Sequence, residues 1–126
     1  MSHFVRMFKP RFAPLVESGQ KCQTVRPVPS RMPKVGDTIS LREWTGKPYR
    51  SKQRVLREEV ISGVSHVDIT ETGVAVESCA VHCDQFALAD GFKDFFELRD
   101  WFKTEHGLPF EGILIKWTKR GMKEMK

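Results

Sequence analysis

The chain of 126 residues and 14.5 kDa has the length of one domain, and 40% hydrophobic with 29% charged residues is the composition of a globule with a core, not of a disordered, collagen-like or repeat chain. No apolar run approaches the roughly 18 residues of a membrane span, Arg6, Lys9, Pro10 and Arg11 break the start where a secretory signal is apolar, and the cysteine count of three is odd, so a cytoplasmic protein without membrane association is expected. The net charge of +5 is unevenly spread: residues 1–57 hold thirteen Lys/Arg against three acids, residues 58–115 hold three against twelve, and the tail from Lys116 is basic again, so the basic part either meets a polyanion or is neutralised internally by the acidic part.

In chain order, His3 to Phe8 alternates loosely and reads as an opening strand. Pro10 suits the first turn of a helix that carries Phe12, Leu15 and Val16 at helical spacing and stops at Ser18-Gly19. A short strand-like segment ends at Arg26, closed by Pro27 and Pro29. Val35-Gly36-Asp37 is a turn before a half-buried strand from Thr38 to Trp44, and the polar, basic stretch Thr45 to Lys52 with Gly46 and Pro48 is a loop. Arg54 to Val67 is rich in Val and Ile and β-prone, Asp68 to Gly73 is a turn region, and Val74 to Glu77 is a further short run. Asp94 followed by Glu97 starts a second helix with Phe95, Leu98, Trp101 and Phe102 as its apolar stripe, stopped by His106-Gly107 with Pro109 beyond, and Gly112 to Trp117 is a closing strand. Two helices against five or six strands give an α+β fold, a small β-barrel or curled sheet with the helices at its openings. No repeat, low-complexity tract or linker divides the chain, and residues 1–126 read as a single domain.

Three groups of residues carry chemistry. Lys21, Thr24 and Arg26 follow a helix stop at the mouth of a strand, where a lysine can act as base when desolvated, a threonine hydroxyl as nucleophile or donor, and an arginine as anion clamp. Strand parity sets a condition: Lys21 and Thr24 share a site only if the regular strand begins after Lys21, at about Gln23 or Thr24. The plainer alternative is a glycine-capped helix followed by surface charges. The run Arg42 to Lys52 interleaves Trp44 and Tyr49 with Arg42, Lys47, Arg50 and Lys52, a composition suited to stacking on bases while touching phosphates, although Trp44 can equally end a strand with its ring in the core. Cys79, His82 and Cys83 offer at most three ligands at an unusual spacing, so buried thiols are expected there and no metal or other cofactor. Asp90-Gly91, taken alone, is a turn.

The run Gly19-Gln20-Lys21-Cys22-Gln23-Thr24-Val25-Arg26 has the GxKxxTxR form of the signature of ASCH domains, a branch of the PUA-like superfamily. Val35-Gly36-Asp37 before a strand, Ala89-Asp90-Gly91-Phe92 leading to Phe96-Glu97-Leu98, and the terminal strand to Trp117 resemble that family in the same order, from about Phe8 to Trp117. The resemblance implies a PUA-like β-barrel of five to six strands with two flanking helices and a cleft facing RNA or a modified nucleoside. Some small bacterial ASCH proteins are acetylcytidine amidohydrolases with a lysine, threonine and glutamate site; the match implies Lys21 and Thr24, with Asp90, one methylene shorter, in the glutamate's place. This chain is longer than those hydrolases by the loop around Thr45 to Lys52. Three readings result. One is RNA or nucleoside binding in a cleft bordered by Lys21, Thr24, Arg26 and Asp90, with Arg42 to Lys52 as its basic flank. Another is deacetylation of acetylated cytidine by Lys21, Thr24 and Asp90, and the last is an interaction module whose basic face meets an acidic protein.

Overall fold

The computed structural model describes residues 2–118, so most of the basic tail lies outside the described residues. Along the chain come β1 (His3–Met7), α1 (Ala13–Ser18), β2 (Gln23–Pro27), β3 (Thr38–Trp44), β4 (Gln53–Ile69), β5 (Val74–Val76), β6 (Cys79–Ala80), α2 (Cys83–Ala89), α3 (Phe95–Glu105) and β7 (Phe110–Thr118). The β-prone run becomes one 17-residue strand, β4, around which the sheet is organised. Its first half pairs antiparallel with β3, and β3 in turn holds β1 in parallel register. Its second half pairs with β7 and, at its end, with β5. β7 carries β2 on its other edge, with Thr24 opposite Ile115 and Arg26 opposite Ile113.

Register shifts at Leu41/Arg42 and Ile61/Gly63 bend the sheet, as extra residues in one strand of an antiparallel pair do. Fully buried Ile39, Leu41, Ile61, Val67, Ile69 and Leu114 supply the sheet's share of the core. α1 packs on β3 and β4, and α2 packs on α3, whose Leu98 and Phe102 are buried. Asp94 caps α3 as its spacing predicts, its Oδ1 accepting from Glu97 N at 2.9 Å. Glu97 reaches one residue further back than a capping box requires, accepting from Lys93 N at 2.8 Å.

The α+β class stands, with three differences from the sequence reading. The expected closed barrel is instead an open, mixed, seven-stranded sheet: among the described residues no ladder joins β1 to β2, the two strands whose pairing would close it. A side chain spans that gap, Arg26 Nη2 donating to Met7 O at 2.8 Å. There are three helices among the described residues, not two. α2 escapes notice because it is only seven residues long and its N-cap is a histidine, His82, whose Nδ1 accepts from Gln85 N at 3.2 Å, in place of the usual Ser, Thr, Asp or Asn. Finally, the cysteines are not buried thiols: Cys79 is exposed on the two-residue β6, and Cys22 and Cys83 are half-buried.

Candidate functional site

The backbone around Lys21 is fixed before its side chain does anything. Gly19 ends α1 in the left-handed region at φ 87°, and Lys21 N then bonds back to Leu15 O at 3.0 Å. Regular pairing begins only at Gln23, which meets the parity condition, so Lys21 and Thr24 line the same cavity. Across from them α2 ends in a Schellman motif. Gly91, at φ 98°, donates to Leu88 O at 3.1 Å and Phe92 N donates to Ala87 O at 2.8 Å, with Asp90 as the C-cap. The carbonyl of Asp90 is thereby left outside the helix, and it accepts from Lys21 Nζ at 2.5 Å while the Asp90 carboxylate lies 3.3 Å from the same nitrogen. The turn that Asp90-Gly91 announces and the charge pair are thus one device.

Lys21 and Asp90 are each only 3% exposed. Desolvation pushes the Lys21 amine down from its ordinary value, against the opposing pull of Asp90; desolvation likewise pushes the Asp90 carboxyl up, against Lys21, a bond from Gln23 Nε2 at 3.3 Å, and Arg26. Burial, with the nearby Arg6, brings the Arg26 guanidinium down to about 10, so it stays charged at neutral pH. Arg26 Nε donates to Thr24 Oγ1 at 3.0 Å, which occupies the hydroxyl oxygen as acceptor and leaves its proton available to donate. With Lys21 and Asp90 opposing each other, the charged Arg26 guanidinium gives this polar part of the cavity a positive bias.

The cavity measures about 170 Å³ and is walled by Phe8, Phe12, Phe92, Trp101 and Phe102, with Lys21, Thr24, Arg26 and Asp90 among its lining. Phe12, Phe92 and Trp101 meet edge-on or tilted, with centroids 5.3 to 5.8 Å apart, which fixes their planes. Two ion pairs tie the chain after β1 to α3 beside these rings, Lys9 to Glu105 and Arg11 to Glu97, each at 2.6 Å. A cavity near 150 Å³ with apolar walls takes a benzene-sized ring. This one adds donors and a charge at one end.

Arg42 turns along its own strand, donating to Ser40 Oγ at 2.8 Å and to Gln53 Oε1 at 2.9 Å. Trp44 is half-buried, its ring tilted against that of Tyr49 with centroids 5.1 Å apart, so it lies neither in the core nor free in solvent. Lys47, Arg50 and Lys52 are exposed on the loop, and among the described residues they have no acidic partner. No local spacing in the sequence connects the aromatic walls, which come from the segment between β1 and α1, the turn after α2, and α3. Gln23 was missed, although it stands inside the GxKxxTxR run. Among the described residues the group with metal-ligand atoms close together is His66, Asp68 and Glu111, half-buried to exposed and sharing no residue with the cavity. No helix is long and apolar enough to cross a membrane. Comparison of the chain with family models, with curated proteins and with solved structures found no match.

Proposed function

We propose that the cavity receives one nucleobase, from a free nucleoside or from RNA, in a domain of the ASCH type with a PUA-like arrangement of its sheet. The observation that carries this reading is the conjunction of an aromatic-walled cavity of ring size with a buried, positively biased polar end built from the GxKxxTxR residues. Aromatic walls accept the faces of a base, each stack being worth about 1–3 kcal/mol. Lys21, Thr24 and Arg26 then offer donors to the carbonyl and ring-nitrogen acceptors on its edge. Lys47, Arg50 and Lys52 lie where phosphates of a longer strand are held by charge, with Arg42 at the base of the loop. The test is RNA binding titrated with salt. Affinity falls steeply as salt rises, and Arg50→Ala and Lys52→Ala each lower the slope by about one; no measurable affinity for any RNA or any nucleoside at low salt refutes the reading.

A second reading, deacylation of an acylated cytidine, is favoured by one observation: Lys21, Thr24 and Asp90 do come together, with the lysine amine driven by burial toward its neutral, proton-accepting form. In this scheme Lys21 takes the proton from Thr24 or from a water as it attacks the amide carbonyl, Arg26 faces the developing oxyanion, and Asp90 positions Lys21. Lys21 then returns the proton to the cytidine amine as the C–N bond breaks; attack by water frees acetate directly, and attack by Thr24 leaves an acetyl ester that a water then hydrolyses. Acetate release from acetylcytidine, lost in Lys21→Ala with its circular dichroism intact, supports it. A flat time course with the unaltered protein across several acylated nucleosides refutes it.

A further inference from the structure

A second cavity, of about 370 Å³, opens between the loop and β1 and is lined by Met7, Phe8, Lys9, Pro10, Trp44, Gly46, Pro48 and Tyr49. Met7, Phe8 and Lys9 line the first cavity too, so a single stretch of backbone is the partition between them. Except for Lys9, the side chains around the second cavity are apolar or aromatic, and a ring is the occupant such walls favour. Trp44 and Tyr49 supply two ring faces, and 89% of Tyr49 stands in solvent where an unbound apolar ring gains nothing.

The loop is built to hold that pose. Tyr49 takes a left-handed backbone at φ 63°, a conformation unfavourable to a side chain of its size. Around it Thr45 N donates to Lys52 O at 2.9 Å, Gly46 N donates to Ser51 Oγ at 2.9 Å, Ser51 Oγ donates to Lys47 O at 2.9 Å, and Arg50 N bonds to Lys47 O at 3.1 Å. Strain kept in place by a closed set of bonds marks a site where a side chain is being aimed. Lys47, Arg50 and Lys52, exposed and without acidic partners among the described residues, stand on the same loop as that ring, so an occupant with negative charge beside its ring is matched electrostatically.

We infer that the domain binds two consecutive nucleotides of a single strand, one base in the Lys21–Asp90 cavity and its neighbour in the Trp44–Tyr49 cavity, with Met7 to Lys9 as the partition between them. The inference rests on the nucleobase reading of the first cavity and narrows its ligand class to an oligonucleotide. A duplex is excluded as ligand, because paired and stacked bases offer no free faces to either cavity.

The experiment is isothermal titration of the full chain with adenosine, cytidine, guanosine and uridine, and with the four matching homotetraribonucleotides. At least one tetranucleotide binds tenfold or more tighter than its nucleoside. Trp44→Ala and Tyr49→Gly each remove most of that gain; Tyr49→Gly keeps the backbone conformation, so its thermal midpoint stays close to that of the unaltered protein. Tetranucleotides no tighter than nucleosides overturn the two-cavity inference alone, and so does a tetranucleotide affinity indifferent to both loop variants. Where nucleosides alone bind too weakly to register, Thr24→Val in the first cavity and Tyr49→Gly in the second must both weaken the tetranucleotide; sensitivity to only one overturns the inference. Absence of binding by every nucleoside and every tetranucleotide overturns the nucleobase reading itself.

Discussion

Lys21 and Lys52 are the same kind of side chain, yet one is locked into the protein and the other projects from it. Lys21 is desolvated, bonded to the carbonyl of Asp90 and paired with its carboxylate; Lys52 projects from a loop with no acidic partner among the described residues. Burial makes the first a matter of stability and local chemistry, while exposure makes the second a matter of long-range attraction and salt. Eight of the thirteen cations in the first 57 residues therefore fall into two groups. Lys9, Arg11, Lys21, Arg54 and Arg57 are neutralised inside the molecule, Arg54 by both Glu17 and Glu43. The loop cations remain for a partner.

Breaking the buried member of this comparison has the largest effect. Asp90→Ala leaves Lys21 buried without its counter-charge and lowers unfolding free energy by about 3–5 kcal/mol, read by urea denaturation. The double variant Lys21→Met with Asp90→Leu, which removes both charges, regains most of that loss; if it is as unstable as the single variant, the pair is not the cause. Next comes Gly112→Ala. A Cβ there would meet the Arg26 carbonyl and the Phe110 ring well inside contact distance, so β2 is forced off β7 at a cost of about 2–3 kcal/mol, with nucleobase affinity falling in parallel. Unaltered stability in this variant would show that β2 is not fixed by that close approach.

Arg50→Ala on the loop sharpens the contrast from the other side. It shifts stability by less than about 0.5 kcal/mol and is visible only in the salt dependence of RNA binding. The smallest effect belongs to Asp37, an intermediate case held by backbone donors instead of a cation. Bonds from Ser2 N at 3.0 Å and Lys34 N at 2.9 Å depress its carboxyl below the ordinary 3.8. A depressed carboxyl stabilises the fold above that ordinary value and ceases to do so as pH falls through the folded one. Asp37→Asn accordingly flattens the acid limb of a stability profile and leaves the neutral and alkaline limbs parallel to those of the unaltered protein.

What the sequence reveals follows the range over which its signals act. Caps and turns are local, so the stop at Gly19, the turn at Gly36 and the whole of α3 are readable from neighbours alone, while strand parity yields only a condition on where β2 starts. The approach of Asp90 to Lys21 spans 69 positions and is readable only through resemblance, since by itself Asp90-Gly91 is a turn. The five aromatic walls and the shared Met7 to Lys9 partition depend on how separate elements stack, which no spacing records. Sheet closure fails to be readable for a similar reason: whether β1 and β2 pair depends on accumulated bend along β4, while the contact that spans them, Arg26 to Met7 O, is a single side chain.

The Schellman end of α2 has a further consequence, in phase and length. Because Asp90 is the residue on which the helix stops, its direction is set by how many residues precede it. Each residue added to or removed from α2 turns its end by about 100° and moves it about 1.5 Å along the axis. Insertion of a single uncharged residue between Cys83 and Ala89 would thus swing the acid off Lys21 while leaving net charge and the glycine stop intact. The seven residues of α2 act as a gauge: their number, more than their identity, sets where the negative charge lies in the pocket.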